Sequence, residues 1–173
     1  MITIRFATTA DAELIADMSR QTFYDTFAAS NTKEDMDKFM NEVFTHEALI
    51  KEVERNTDTF LLAYDEEEAV GYVRMRESES PRSFAGASAL EIARIYATYN
   101  AIGKGVGKAL MNACIEIAIA RGKKIIWLGV WEQNQRAIDF YTKWGFEKFD
   151  THVFMLGNDK QTDWLMKKTL STT

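Results

Sequence analysis

A chain of 173 residues with 46% apolar and 27% charged residues, nine glycines and one proline has the make-up of a single soluble, folded domain spanning residues 1–173. Its net charge of −5 argues against a nucleic-acid or anionic-membrane partner, because both need an excess of Lys and Arg. The lone Cys114 excludes an intramolecular disulfide, and two histidines far apart, His46 and His152, give no basis for a metal site, so none is expected.

The N-terminal segment turns acidic by Asp11 without an apolar stretch, unlike a signal peptide. No run approaches the roughly 18 apolar residues of a membrane span. A cytoplasmic location is expected. Ile2–Phe6 alternates apolar and polar residues and predicts a strand. Helical spacing follows over Thr9–Phe27, with Thr9 or Asp11 as N-cap. Met36, Phe39, Met40, Val43 and Phe44 form a second helical stripe, and Leu49–Val53 a third short helix. Thr59–Ala63 and Ala69–Arg76 read as a hairpin around an acidic turn. Glu77–Ala89, rich in Ser and holding Pro81, reads as a mobile loop. A strand at Leu90–Ala97 leads into a glycine-rich turn and an apolar helix that ends at Gly122. Then come a buried strand at Lys124–Val130, a helix at Asn134–Trp144, and strands at Phe146–Leu156 and Asp163–Thr169 around a polar turn at Gly157–Lys160. The order is that of a mixed α/β (α+β) domain centred on a strand, glycine loop, helix, strand and helix.

The loop reads Ile102-Gly103-Lys104-Gly105-Val106-Gly107-Lys108. Alternate glycines let successive N–H groups face an anion at a helix N-terminus, where those groups lack partners. A P-loop is excluded, because Ala109 follows Gly107-Lys108 and Ile102 stands at its first glycine position. A dinucleotide fingerprint fails at Lys108, where its third glycine belongs. A phosphate or pyrophosphate of another kind of ligand is the expected occupant.

Gly103–Leu110 followed by Asn134-Gln-Arg-Ala-Ile-Asp-Phe-Tyr141-Thr-Lys-Trp-Gly-Phe146 resembles the GCN5-related N-acetyltransferase (GNAT) superfamily. The resemblance implies a mostly antiparallel mixed sheet of about seven strands, flanked by helices and splayed between the fourth and fifth strands. It implies acetyl-CoA as cofactor, with its pyrophosphate on Gly103, Lys104, Gly105, Val106, Gly107 and Lys108. It places Ile95, Tyr96 and Ala97 along the pantetheine arm, and Asn134, Tyr141 and Lys143 near the cofactor. The family's Gln or Arg before the loop is Ile102 here, so one side-chain contact to the phosphates is missing. The stretches Gln21–Phe27, Leu90–Tyr96, Ile126–Glu132 and Gln161–Asp163 are similar to bacterial spermidine/spermine acetyltransferases of the PaiA type.

Acetylating an amine poses two proton problems. Deprotonating a primary ammonium with a pKa of about 10.4 costs roughly 4.6 kcal/mol at pH 7. The leaving thiolate must also be protonated. Tyr141 shares an apolar helix face with Ala137, Ile138 and Trp144, and is the expected acid. Glu91, a carboxylate inside an apolar strand, is the expected base, and simple alternation puts it on one face with Ala93, Ile95 and Ala97. An ion pair with Arg94 or with a neighbouring strand is the alternative use of that carboxylate. Cys114 lacks a nearby base and reads as core.

For the acceptor, Phe23, Tyr24, Asp25 and Phe27, with Glu91, combine carboxylates and aromatic faces suited to a cationic amine. Glu34, Asp35, Glu77 and Glu79 are further acidic candidates. A polyamine is the expected acceptor, with a small-molecule amine, a protein N-terminus, a lysine, an amino acid or an antibiotic amine as alternatives. A non-catalytic acyl-CoA-binding module is the alternative from another class. The assembly is expected to be a monomer or a homodimer.

Overall fold

The period-two runs assemble into one sheet. Its strands are β1 (Ile2–Phe6), β2 (Thr59–Asp65), β3 (Glu68–Arg76), β4 (Ala89–Ala97), β5 (Ile125–Trp131), β6 (Glu147–Leu156) and β7 (Asp159–Thr169). The computed structural model describes residues 1–77 and 80–170. The strand order is β1-β2-β3-β4-β5-β7-β6, antiparallel throughout except for the parallel β4–β5 pair. The expected mixed, mostly antiparallel sheet is therefore present.

Among the described residues, five α-helices cover it: α1 (Ala12–Phe27), α2 (Lys33–Glu42), α3 (His46–Glu54), α4 (Val106–Ala120) and α5 (Gln135–Lys143). Thr32, Thr45 and Asn134 cap α2, α3 and α5 with side-chain oxygens that accept backbone N–H bonds. On one face, α4 and α5 pack Met111, Cys114 and Tyr141 against alternate strand residues that include Val73, Leu90, Ile92, Ile126 and Leu128. On the other face, α1 to α3 build two smaller clusters. Phe23, Phe39 and Phe44 centre one, and Ile15, Leu62 and Tyr72 the other. Cys114 is fully buried, which pushes its thiol up to about 12.

Two local features position the site. The parallel β4–β5 ladder holds only from Ala89↔Ile125 to Ile92↔Leu128, and beyond it the strands part, as expected for a splayed sheet. β4 also carries one extra residue, since Arg74 pairs with Arg94 but Met75 pairs with Ile92. Ala93 is the bulge, and it reverses the facing of everything after it.

Three sequence expectations need correction. Glu91, Ala93, Ile95 and Ala97 do not share a face. Ile92 on one side of the bulge and Ile95 and Ala97 on the other all join the α4 core, so Glu91 faces the opposite way. The Glu77–Ala89 segment contains a helical turn at Arg82–Phe84, and Phe84 is buried against Trp127 and Phe149. Finally, β7 begins at Asp159, because Gly157, at φ 63°, and Asn158 suffice for a two-residue hairpin turn.

Candidate active site

A cavity of about 630 Å³ opens where β4 and β5 part. It is lined from β4 by Ile92 to Ala97, from β5 by Leu128 to Trp131, from the loop by Ile102 and Gly107, and from α5 by Ala137, Phe140 and Tyr141. From the other face come Phe23, Asp25, Thr26 and Phe27 of α1, with Gln161 and Asp163 of β7.

The cofactor side is made mainly of backbone. Past Ile92, β4 keeps its bonds to β3 but has no β5 neighbour, so peptide groups of Arg94–Ala97 border the cavity. Gly103 and Gly105 adopt φ of 84° and 87°, which only glycine takes without strain. That turn brings the first N–H groups of α4 to the surface without intrahelical partners. Beyond its own chain neighbours, neither glycine has an atom within 4 Å of where a Cβ would stand, so the turn is open to a ligand. Gly71 solves a different problem. A Cβ there would lie 2.7 Å from Val106 Cγ1 and 2.8 Å from the Tyr96 carbonyl oxygen, so glycine lets the start of α4 press against the sheet. An anion-binding turn beside an unpaired strand edge is the donor set that a pyrophosphate with an amide-containing arm requires. The residues present fit coenzyme A.

Of the residues expected at the cofactor, Ile95, Tyr96, Ala97, Gly107, Asn134 and Tyr141 line the cavity. Lys104, Gly103 and Gly105 are exposed on the loop, Lys108 on the first turn of α4, and Val106 is buried under it. Asn134 Oδ1 accepts the Ala137 N–H at 3.3 Å, so its side chain caps α5. Lys143 is exposed at the end of α5 and does not reach the cavity. The Tyr96 ring stacks on Tyr72 at 6.1 Å on the α1–α3 face, leaving its backbone on the cavity edge.

Tyr141 is 8% exposed, and among the described residues its hydroxyl makes no hydrogen bond. Burial pushes the phenol above its ordinary value near 10, with Cys114 adding to the effect, so it stays protonated at neutral pH.

Glu91 is placed differently from expectation. It is 8% exposed and does not line the cavity. Arg76 Nε donates to Oε1 at 2.5 Å and Nη2 to Oε2 at 3.3 Å, which raises the Arg76 guanidinium above its usual value. A partner from the neighbouring strand, not Arg94, takes this carboxylate. Arg94 instead joins Glu52, which also accepts from Arg74 Nη1 at 3.0 Å, while Arg74 Nε donates to Asp58 at 2.7 Å. This part-buried network ties β3 and β4 to α3, with Arg94 also lining the cavity.

The α1 residues divide. Phe23 and Phe27, four apart, pack at 4.6 Å and line the cavity with Asp25, whereas Tyr24, 47% exposed, lies outside the cavity beside Asp17 and Gln21. Glu77 binds Lys123 at 2.9 Å and Asp35 accepts from the Asn158 N–H at 3.0 Å, so neither serves the cavity. Glu79 lies outside the described residues. Sequence reasoning missed Asp163, Gln161 and Trp131. Their signal is weak: polar residues at the start of a terminal strand, and a tryptophan at the end of another.

Among the described residues no helix is long and apolar enough to cross a membrane, and no three His, Cys, Asp or Glu side chains cluster as a metal site would require.

Residues 20–146 match the model of the acetyltransferase (GNAT) family. An uncharacterised N-acetyltransferase of Lactobacillus delbrueckii subsp. lactis is 37% identical over 158 residues, 91% of each chain. Spermidine N(1)-acetyltransferase of Thermoplasma acidophilum is 25% identical, over 87% of this chain and 91% of its own. Among solved structures, PaiA N-acetyltransferase of Thermoplasma acidophilum in complex with coenzyme A superposes with a TM-score of 0.79 at 24% identity, over 98% of this chain and 99% of that one. Ribosomal-protein-alanine N-acetyltransferase of Brucella melitensis superposes at 0.72 with 24% identity, over 97% and 99%. With the family match covering most of the chain and the split sheet and glycine turn in place, the chain belongs to the GNAT family and is an acetyl-CoA-dependent N-acetyltransferase.

Proposed function

We propose that the protein acetylates a primary amine of a small polycation, most simply a polyamine such as spermidine or spermine. The observation that carries this reading is the acceptor side of the cavity, where Asp25 and Asp163 stand among the rings of Phe23, Phe27 and Trp131. Carboxylates at intervals hold spaced ammonium groups, and ring faces favour the cationic chain between them. The similarity to a spermidine acetyltransferase supports the same class. Because all seven strands hydrogen-bond into one sheet, we read residues 1–173 as one acetyltransferase domain.

Acetyl-CoA supplies the activated acetyl group as a thioester. The α4 N-terminus and the Gly103–Gly107 turn hold its phosphates, and the free edge of β4 holds its amide arm. Tyr141 acts as the acid. Its protonated hydroxyl donates a hydrogen bond toward the sulfur as negative charge develops there. Complete transfer from a phenol to a thiolate is uphill by the roughly 1.5 units that separate their ordinary pKa values, so the donation matters most in the transition state. Glu91, with both oxygens held by Arg76, reaches the amine only through water in this reading.

Thiol release from acetyl-CoA, followed with spermidine, spermine, amino acids and an N-terminal peptide, tests the assignment. Polyamines are expected to give the highest kcat/KM. Faster turnover of an amino acid or a peptide would move the substrate class to that acceptor.

A further inference from the structure

Asp163 sits at the split itself. It pairs across β7 with Trp131, the last residue of β5, and also with His152 of β6. Its carboxylate faces the α1–α2 side, with Oδ2 3.7 Å from the point where a side chain at Gly129 would begin. Gly129 is the first β5 residue after the ladder to β4 ends, and its missing side chain keeps the space above Asp163 open. Unlike Glu91, Glu52, Asp58 and Asp25, whose side chains all accept hydrogen bonds from side chains, the Asp163 carboxylate makes no hydrogen bond or ion pair among the described residues.

We infer that Asp163 is the catalytic base, receiving the acceptor's ammonium in the cavity and removing its proton; this rests on the acetyl-transfer reading above. Groups facing it from each neighbouring element are His152 of β6, Glu132 after β5, Tyr96 and Arg94 of β4, Asp25 of α1 and Arg136 at the start of α5. Burial raises the Asp163 carboxyl above the usual range, Glu132 adds to this and His152 opposes it. The direction suits a base working near neutral pH. Burial raises the Tyr96 phenol most, and Asp163 and Tyr141 each add a smaller contribution to it.

The step balances as follows. The ammonium gives one proton to the Asp163 carboxylate. The freed nitrogen pair forms a C–N bond at the acetyl carbonyl carbon, and the C–S bond breaks with its electron pair on sulfur. Sulfur gains a proton from Tyr141, and the second N–H proton restores that phenol. Asp163 then releases its proton to solvent. Ammonium and thioester become amide, thiol and one proton.

The experiment measures thiol release and calorimetric acetyl-CoA binding for the full chain and for Asp163→Asn, Asp163→Glu and Glu91→Gln. Asp163→Asn is expected to lower kcat/KM for the amine about 100-fold or more and to abolish the acid limb of its pH profile, with acetyl-CoA affinity unchanged. Asp163→Glu restores part of the rate and a displaced limb, which a purely structural aspartate would not do. The inference is overturned if Asp163→Asn keeps the wild-type rate and limb, or if Glu91→Gln alone removes the limb. If the unmodified protein releases no thiol with any amine, the acetyl-transfer reading fails first and takes this one with it.

Discussion

On one side of the β4–β5 split the cavity wall is peptide backbone: the open edge of Arg94–Ala97 and the N–H groups at the start of α4. On the other side it is side chains, drawn from α1 and, more than a hundred residues later, from the end of β5 and the start of β7. The first wall is generic, because any residue that permits the turn presents the same N–H groups. The second is particular, because each ring and carboxylate can be exchanged without disturbing the strands. An enzyme built this way holds its cofactor fixed while its acceptor varies.

The largest effect should come from the residue between the two walls. Tyr141→Phe is expected to reduce kcat by about 100-fold or more while barely changing acetyl-CoA affinity. An unaltered kcat would leave the phenol with a packing role only. Next comes the backbone wall. At Gly105, φ 87° should cost a valine about 1–2 kcal/mol, so Gly105→Val should weaken acetyl-CoA binding roughly 5- to 30-fold. The KM for the amine should hold, and a parallel rise would erase the distinction between the walls. On the side-chain wall, Asp25 is exposed, and Asp25→Asn should raise the amine KM by about 2- to 5-fold, more for spermine than for a monoamine. Equal changes for both amines would remove Asp25 from the site.

The smallest effect concerns stability and has a defined sign. Burial raises the Asp163 carboxyl in the folded protein, so the fold binds that proton more tightly than the unfolded chain does. Stability is therefore lost as pH rises from the unfolded value through the folded one. Asp163→Asn should raise Tm at pH 7, and the gain should fade below about pH 4. A fall in Tm at pH 7 would mean that Asp163 supports the fold instead of costing it stability.

The backbone wall was legible in the sequence because its determinants are contiguous. Glycines 103, 105 and 107 and the Asn134–Phe146 segment each act over a few residues. Cys114 reads correctly as core for the same reason, being on a locally apolar helix. The side-chain wall was only half legible. Phe23 and Phe27 share a helix face by their four-residue spacing, whereas the separation of Tyr24 from the cavity and the placing of Asp25 in it depend on how α1 packs, which the sequence does not announce. Glu91 defeated alternation because Ala93 bulges, and its guanidinium partner stands on another strand. Nothing local to Glu91 or Arg76 announces either fact. Asp163 was visible only as part of a resemblance, since its role depends on Gly129, a neighbour created by strand pairing.

The short β4–β5 ladder carries one more consequence. In Ala93–Ala97, the peptide groups aimed at β3 are locked, while those aimed the other way have no strand to meet. In deuterated buffer this single strand should report two clocks, one slow edge and one fast. A ligand laid along the cavity would stop the fast clock alone. Occupancy of the cavity would then be readable amide by amide, with no turnover needed.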